Sequence, residues 1–160
     1  MSYDPRKIKV VNQRDLNNLH PIVKEMVVRF IKEVNDYFKG EIEVKVISTL
    51  RDWDEQERIY NQGRITPGKI VSNAKPGKSI HNWGCAIDIG VFKDGKYLTD
   101  DKLGYYKKIG PIGLLNGFTW GGNFKTIKDM PHYEYTGKYT SSQFIKLANE
   151  GKSIDEILGE

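Results

Sequence analysis

The sequence predicts an α+β fold, a single domain in which a small, mainly antiparallel sheet is flanked by helices. Three observations lead there. A chain of 160 residues can bury one proper core but is too short for two comfortable domains. Helical and strand-like periodicities occupy separate short stretches, and Asp94-Gly95 between two strand-like runs is a hairpin signal. No repeat, low-complexity tract or linker divides the chain, so residues 1–160 read as one domain without a separate module.

Residues 1–19 read as an extended arm, with Val10 and Val11 the only apolar pair before Leu16. Pro21 suits a first helical position. Ile22, Val23, Met26, Val27, Phe30, Ile31, Val34 and Phe38 then recur at three- and four-residue steps, one apolar stripe that Gly40 ends. Across 41–48 the apolar residues Ile42, Val44 and Val46 alternate, which predicts a half-buried strand. Asp52 followed by Glu55 fits a capping box for a helix that Gly63 closes. Residues 63–78 are rich in turn formers and predict a long surface loop, a feature uncommon in compact domains and often functional. Residues 86–92 read as a buried strand turning at Asp94-Gly95 toward Tyr97. A helical piece covers about 101–115, and 118–120 and 132–135 read as strands separated by a Gly-Gly loop. Ser141 is expected to cap a short helix to Asn149, and Ser153 with Glu156 offers a last capping box.

Composition narrows the function classes. Charged residues make up 29% and mean hydropathy is −0.57, as in soluble globular proteins. The net charge of +4 and a pI near 9.0 favour an anionic partner. No run of five or six like charges marks a nucleic-acid arm, and no nucleic-acid partner is expected. One cysteine excludes an internal disulfide. No window approaches the roughly 20 apolar residues that span a bilayer, so membrane insertion is not expected. The polar start has no signal-type apolar stretch, which predicts cytoplasmic synthesis and release to any outside substrate by another factor. A monomer is expected.

Chemistry concentrates in residues 79–89 and 129–134, which contain His81, Asp88, Asp129 and His132. Two imidazoles and one carboxylate suit a single zinc ion and leave a fourth tetrahedral position for water, the mark of a catalytic site. Asp88 lies between Ile87 and Ile89 on a predicted core strand, where an uncompensated carboxylate is costly and a metal compensates it. Asp129, three residues before His132, is placed to act as a general base without coordinating. His20 reads as a helix-entry residue and Cys85 as a small buried hydrophobe. Trp83, Trp120, Phe124 and Tyr133 read more readily as core than as cleft walls.

The pattern Ser-x-His-x-x-Gly-x-Ala-x-Asp, followed by Asp-x-Pro-His, resembles that of the LAS-type zinc peptidases. That group joins lysostaphin-like enzymes, D-Ala-D-Ala metallopeptidases and the hedgehog signalling domain. Within it the chain looks most like phage endolysins that are L-alanyl-D-glutamate endopeptidases. Leu19-His20-Pro21, Ser48-Thr49-Leu50-Arg51 with Gln56, residues 60–64 and Trp120-Gly121-Gly122 extend the likeness over about 14–136. The resemblance implies a hedgehog/D-Ala-D-Ala-peptidase-like fold, one Zn2+ held by His81, Asp88 and His132, and Asp129 as catalytic acid/base. It implies that Arg51 faces the scissile carbonyl and stabilises the oxyanion. Ser79 would bind substrate or orient the site, with a simple turn residue after Pro76-Gly77 as the lesser reading. Gln56 would contact substrate or a residue that does. The implied partner is the stem peptide of bacterial peptidoglycan, cut at its L-Ala–D-Glu bond. A D-Ala-D-Ala carboxypeptidase or dipeptidase, and a wall-binding module with a noncatalytic zinc, remain the alternatives. Dipeptidase relatives carry Glu where this chain has Asp129, and Leu50 stands where relatives often have an aromatic residue.

Overall fold

The structure, a computed structural model, describes residues 2–160. The main helix, α1 (Pro21–Phe38), starts at Pro21 with His20 as its cap, the His20 imidazole accepting from the Ile22 amide. Its stripe buries Val23, Met26, Val27, Phe30, Val34 and Phe38, while Ile22 at the edge of that stripe stays 43% exposed. Lys39 and Gly40 at positive φ end it and turn the chain into β1 (Glu43–Ser48).

Beyond β1 come α2 (Trp53–Asn61), β2 (Ala86–Lys93), β3 (Lys96–Leu98), α3 (Tyr105–Leu115), β4 (Thr119–Trp120), β5 (His132–Glu134), α4 (Ser141–Asn149) and α5 (Ile154–Gly159). All strand pairs are antiparallel, in the order β1-β2-β5-β4, with β3 paired to β2. The predicted Asp94-Gly95 turn forms the β2–β3 hairpin, both residues at positive φ. β2 is the central strand. Its Ile87 and Ile89 are fully buried in the core that α1 covers, and Tyr133, opposite Ile87, packs on Phe30. By strand alternation Asp88 points to the opposite face, where the register sets it beside His132 on one neighbour and Ser48 on the other. Two imidazole-and-carboxylate partners thus meet because of pairing, not proximity in sequence.

Some local expectations need correction. The arm before α1 is not simply extended: single turns of 3-10 helix form at Pro5–Lys7 and Leu16–Asn18, each capped by the preceding aspartate. Asp52 caps α2 by accepting from the Glu55 amide, but Glu55 does not reach back; its carboxylate takes Arg58 instead. Thr140, not Ser141, caps α4, in a full capping box with Gln143. Ser141 is freed for another partner. Asn35 of α1 uses its amide to bond both Val44 N–H and Val44 C=O, at 2.8 and 3.0 Å, which blunts the open edge of β1.

Two close helix–sheet approaches demand glycine, Gly110 of α3 against Trp120 of β4 and Gly113 of α3 under the site strand. A β-carbon at Gly113 of α3 would overlap the ring of fully buried Tyr133 on β5. Gly113→Val is therefore expected to destabilise the protein by about 2–3 kcal/mol, because overpacking in a closed core displaces the strand. Gly159→Ala, with open space around it, should leave stability near the native value. Chemical denaturation of the two variants checks the pair. Equal midpoints would contradict the packing argument.

Candidate active site

His81 rides on a short 3-10 turn, Ile80–Trp83, whose cap is Ser79. The Ser79 hydroxyl accepts from the His81 amide at 3.3 Å, and Asn82 returns the favour by accepting from the Ser79 amide at 3.2 Å. The Asn82 amide also donates to the Arg51 carbonyl at 2.9 Å, and the Arg51 amide donates to the His81 carbonyl at 3.0 Å. The turn and the 49–51 segment are thereby locked together. The His81 ring donates Nδ1–H to the Thr49 carbonyl at 3.0 Å, since a carbonyl can only accept. That assignment makes Nε2 the inward-facing nitrogen, 3.3 Å from Asp88 Oδ1.

His132 presents its other nitrogen. Its Nδ1 lies 3.4 Å from the same Asp88 oxygen, while Nε2 lies 2.6 Å from Glu134 Oε1. The donor atoms of His81, Asp88 and His132 all fall within 4.8 Å of one another. Each imidazole has its outward nitrogen on an oxygen acceptor, the arrangement that fixes the ring orientation of a metal-binding histidine. Nitrogen and carboxylate donors of this kind fit zinc.

Electrostatics agree with a cation site. Burial disfavours the Asp88 carboxylate, but the His81 and His132 charges and hydrogen bonds outweigh it and hold the acid well below the usual range. Burial likewise opposes a charged His132, yet hydrogen bonds and charges from Asp88 and Glu134 push it up to about 10.

Asp129 stands at the rim. Its Oδ2 is 3.9 Å from His132 Nδ1, and its side chain is about half exposed (53%). Burial first, and the Asp88 charge second, raise its pKa against the pull of His132, His81 and Arg51. The position is fixed through backbone: the Asp129 amide donates to Gly121 C=O at 2.9 Å, and its own carbonyl accepts from the His132 amide at 3.1 Å. A side chain at Gly121 would strike that carbonyl. This is why the Gly121-Gly122 loop matters. Phe124 flanks His132, ring centroids 5.7 Å apart, and so borders the site, whereas Trp83, Trp120 and Tyr133 are buried in the core.

Arg51 sits partly buried; burial lowers its pKa while Asp88, Glu55 and Asp129 raise it, so the guanidinium stays a cation facing the centre. Gln56 is fully buried behind it. Its Oε1 accepts from Arg51 Nη1 at 3.1 Å, and its Nε2 donates to Ala74 C=O at 2.7 Å and Ser72 Oγ at 3.2 Å. The amide therefore ties Arg51 to the 63–78 loop.

The structure brings His81, Asp88, His132, Asp129 and Arg51 to one centre and puts Ser79 and Gln56 directly behind it. Sequence reasoning missed Glu134 and Thr49. Glu134 is buried, bonds His132, and accepts from the hydroxyl of Ser141 at the start of α4. Strand alternation carried that signal, because 132 and 134 share a face. Thr49 acts through its carbonyl, which no side-chain pattern encodes.

A family model described as D-alanyl-D-alanine carboxypeptidase matches residues 72–135, the stretch with both histidines and both aspartates of the centre. Over 126 residues the chain is 36% identical to the peptidoglycan L-alanyl-D-glutamate endopeptidase CwlK of Bacillus subtilis, covering 74% of each protein. The chain belongs to the LAS-type zinc peptidases. Solved structures of that family share the fold. The L-Ala D-Glu endopeptidase ChiX of Serratia marcescens superposes with a TM-score of 0.54 at 23% identity, over 81% of this chain and 89% of that one. The D,D-pentapeptidase VanY of a VanB-type resistance cassette, solved with Zn(II), gives 0.56 at 19% identity, over 95% and 91%. The α+β, D-Ala-D-Ala-peptidase-like architecture expected of a LAS-type chain is thus the observed one.

Proposed function

We propose that this protein is a zinc-dependent peptidoglycan peptidase that hydrolyses the L-Ala–D-Glu bond of the stem peptide. One observation carries the catalytic reading: a half-exposed acid with a raised pKa stands beside, and outside, a three-residue donor set. A purely structural metal site has no use for it. The choice of bond is supported by the likeness to CwlK.

His81 Nε2, one Asp88 oxygen and His132 Nδ1 would hold the metal, which supplies Lewis acidity and lowers the pKa of water when bound. Asp129 accepts a proton from the attacking water, its raised pKa making the carboxylate a stronger base. Arg51, held by Gln56, donates to the carbonyl oxygen as negative charge develops there. Asp129 then returns the proton to the departing amine, which closes the proton balance. Ser79 orients His81 through its cap, and Gln56 positions Arg51.

A second reading, D-Ala-D-Ala carboxypeptidase, is supported by the description of the matching family model. Mass spectrometry of purified muropeptides, with and without chelator, separates the two. A new N-terminal D-Glu marks the endopeptidase. Released D-Ala marks the carboxypeptidase, and products unaffected by chelator would sink the metal mechanism.

Zinc affinity is expected to depend on pH. In the metal-free protein His132 keeps its proton up to about 10, so binding between pH 6 and 9 must displace it. The apparent affinity should rise about tenfold per pH unit there, one proton leaving with each zinc bound. Calorimetry in buffers of different ionisation enthalpy counts that proton. A pH-independent affinity would contradict the pairing described for His132.

A further inference from the structure

Beside Arg51 a cleft of about 580 Å³ opens, which the metal-site residues do not explain. One wall is residues 10–14 of the N-terminal arm; the other is Leu50, Arg51 and the first turns of α2. The arm is anchored there by design of its hydrogen bonds. Buried Thr49 donates its hydroxyl to Gln13 C=O at 2.7 Å, and Asn18 donates to Asn12 C=O at 2.9 Å. Tyr3 secures Asn18 in turn, its hydroxyl donating to the Asn18 carbonyl at 2.7 Å. Thr49 also accepts from His81, so one residue holds both the arm and the metal-site histidine.

The uncommitted chemistry of this cleft is cationic. Its two acids have other partners: Asp52 caps α2 through one oxygen, and both Glu55 oxygens take Arg58, at 2.6 and 2.9 Å. Among the described residues the Arg14 guanidinium has no hydrogen-bond or ion-pair partner, and Arg51 has only the Gln56 amide oxygen. Val11 adds an apolar wall that is 89% exposed. Arg51 lines the cleft and lies within the electrostatic reach of Asp88 and Asp129, so the cleft adjoins the centre and a peptide reacting there can continue into it.

We propose that the cleft between residues 10–14 and α2 is a subsite for a free carboxylate of the stem peptide, with Arg14 as the recognising cation. The inference rests on the peptidase reading. In a stem peptide the D-glutamate continues the chain through its γ-carboxyl, so its α-carboxylate is free beside the bond to be cut. A guanidinium matches that group with paired, charge-assisted hydrogen bonds. An amidated stem lacks the charge.

The test uses zinc-loaded protein and an uncleavable analogue of L-Ala-γ-D-Glu-L-Lys with a reduced scissile amide. Calorimetry is run with the free α-acid and with its α-amide counterpart. The acid is expected to bind native protein about tenfold more tightly than the amide, as for a hydrogen bond to a charged group. Arg14→Gln should erase that difference with zinc content and melting temperature unchanged. Equal affinities in the native protein, a preference that survives Arg14→Gln, or binding of neither analogue would overturn the subsite. Cleavage of the natural peptide is scored separately. Selective binding without cleavage would overturn the catalytic reading and keep the subsite.

Discussion

Asp129→Asn is expected to lower turnover by about 10²–10⁴-fold, the usual contribution of a positioned acid/base, with zinc content and melting temperature at native values. The expectation follows from where the carboxylate sits. It is half exposed, none of its oxygens holds the backbone, and the Asp129 amide and carbonyl bonds to Gly121 and His132 persist with Asn. Asparagine keeps the shape and loses the basic oxygen. Muropeptide turnover with parallel metal analysis decides the point. An Asp129→Asn protein that digests stem peptides at the native rate would remove the acid from the mechanism, and one that loses zinc would make Asp129 a ligand instead.

Glu134→Leu should weaken zinc binding about 10–100-fold, the range found when the carboxylate behind a metal-binding histidine is removed. Glu134 holds His132 by Nε2, so that Nδ1 is the nitrogen left for the metal, and Ser141 of α4 holds Glu134. Leucine at this buried position leaves Nε2–H without an acceptor and the ring free to turn. Glu134→Gln keeps an acceptor oxygen and should recover most of the affinity. The graded result separates positioning from bulk stability, because both variants remove the same buried charge. Competition with a zinc-selective chelator measures it, and equal losses in the two variants would refute the positioning role.

Much of the fold was legible because its elements are locally consistent. The stripe from Ile22 to Phe38, Pro21 at its start and the Asp94-Gly95 turn each encode their own structure within a few residues. Errors arose where two residues compete for one local role. Thr140 and Ser141 are both able to cap α4; Thr140 wins through Gln143, and Ser141 is claimed by Glu134 from another element. Glu55 had a closer cation in Arg58 than the α2 cap it was expected to close.

The identities of His81, Asp88, Asp129 and His132 lie in two short segments, and donor chemistry alone marks them as a candidate metal centre with a spare acid. That much the sequence determined by itself, because ligand preference is a property of residue type. Their geometry was decided by tertiary structure. Strand register sets Asp88 against His132, and the outward bonds to Thr49 and Glu134 choose which nitrogen each histidine offers. Gln56 became a brace for Arg51 only when α2 and the 63–78 loop closed around it. These relations depend on backbone carbonyls and on contacts between segments far apart in the chain, which local sequence patterns do not contain.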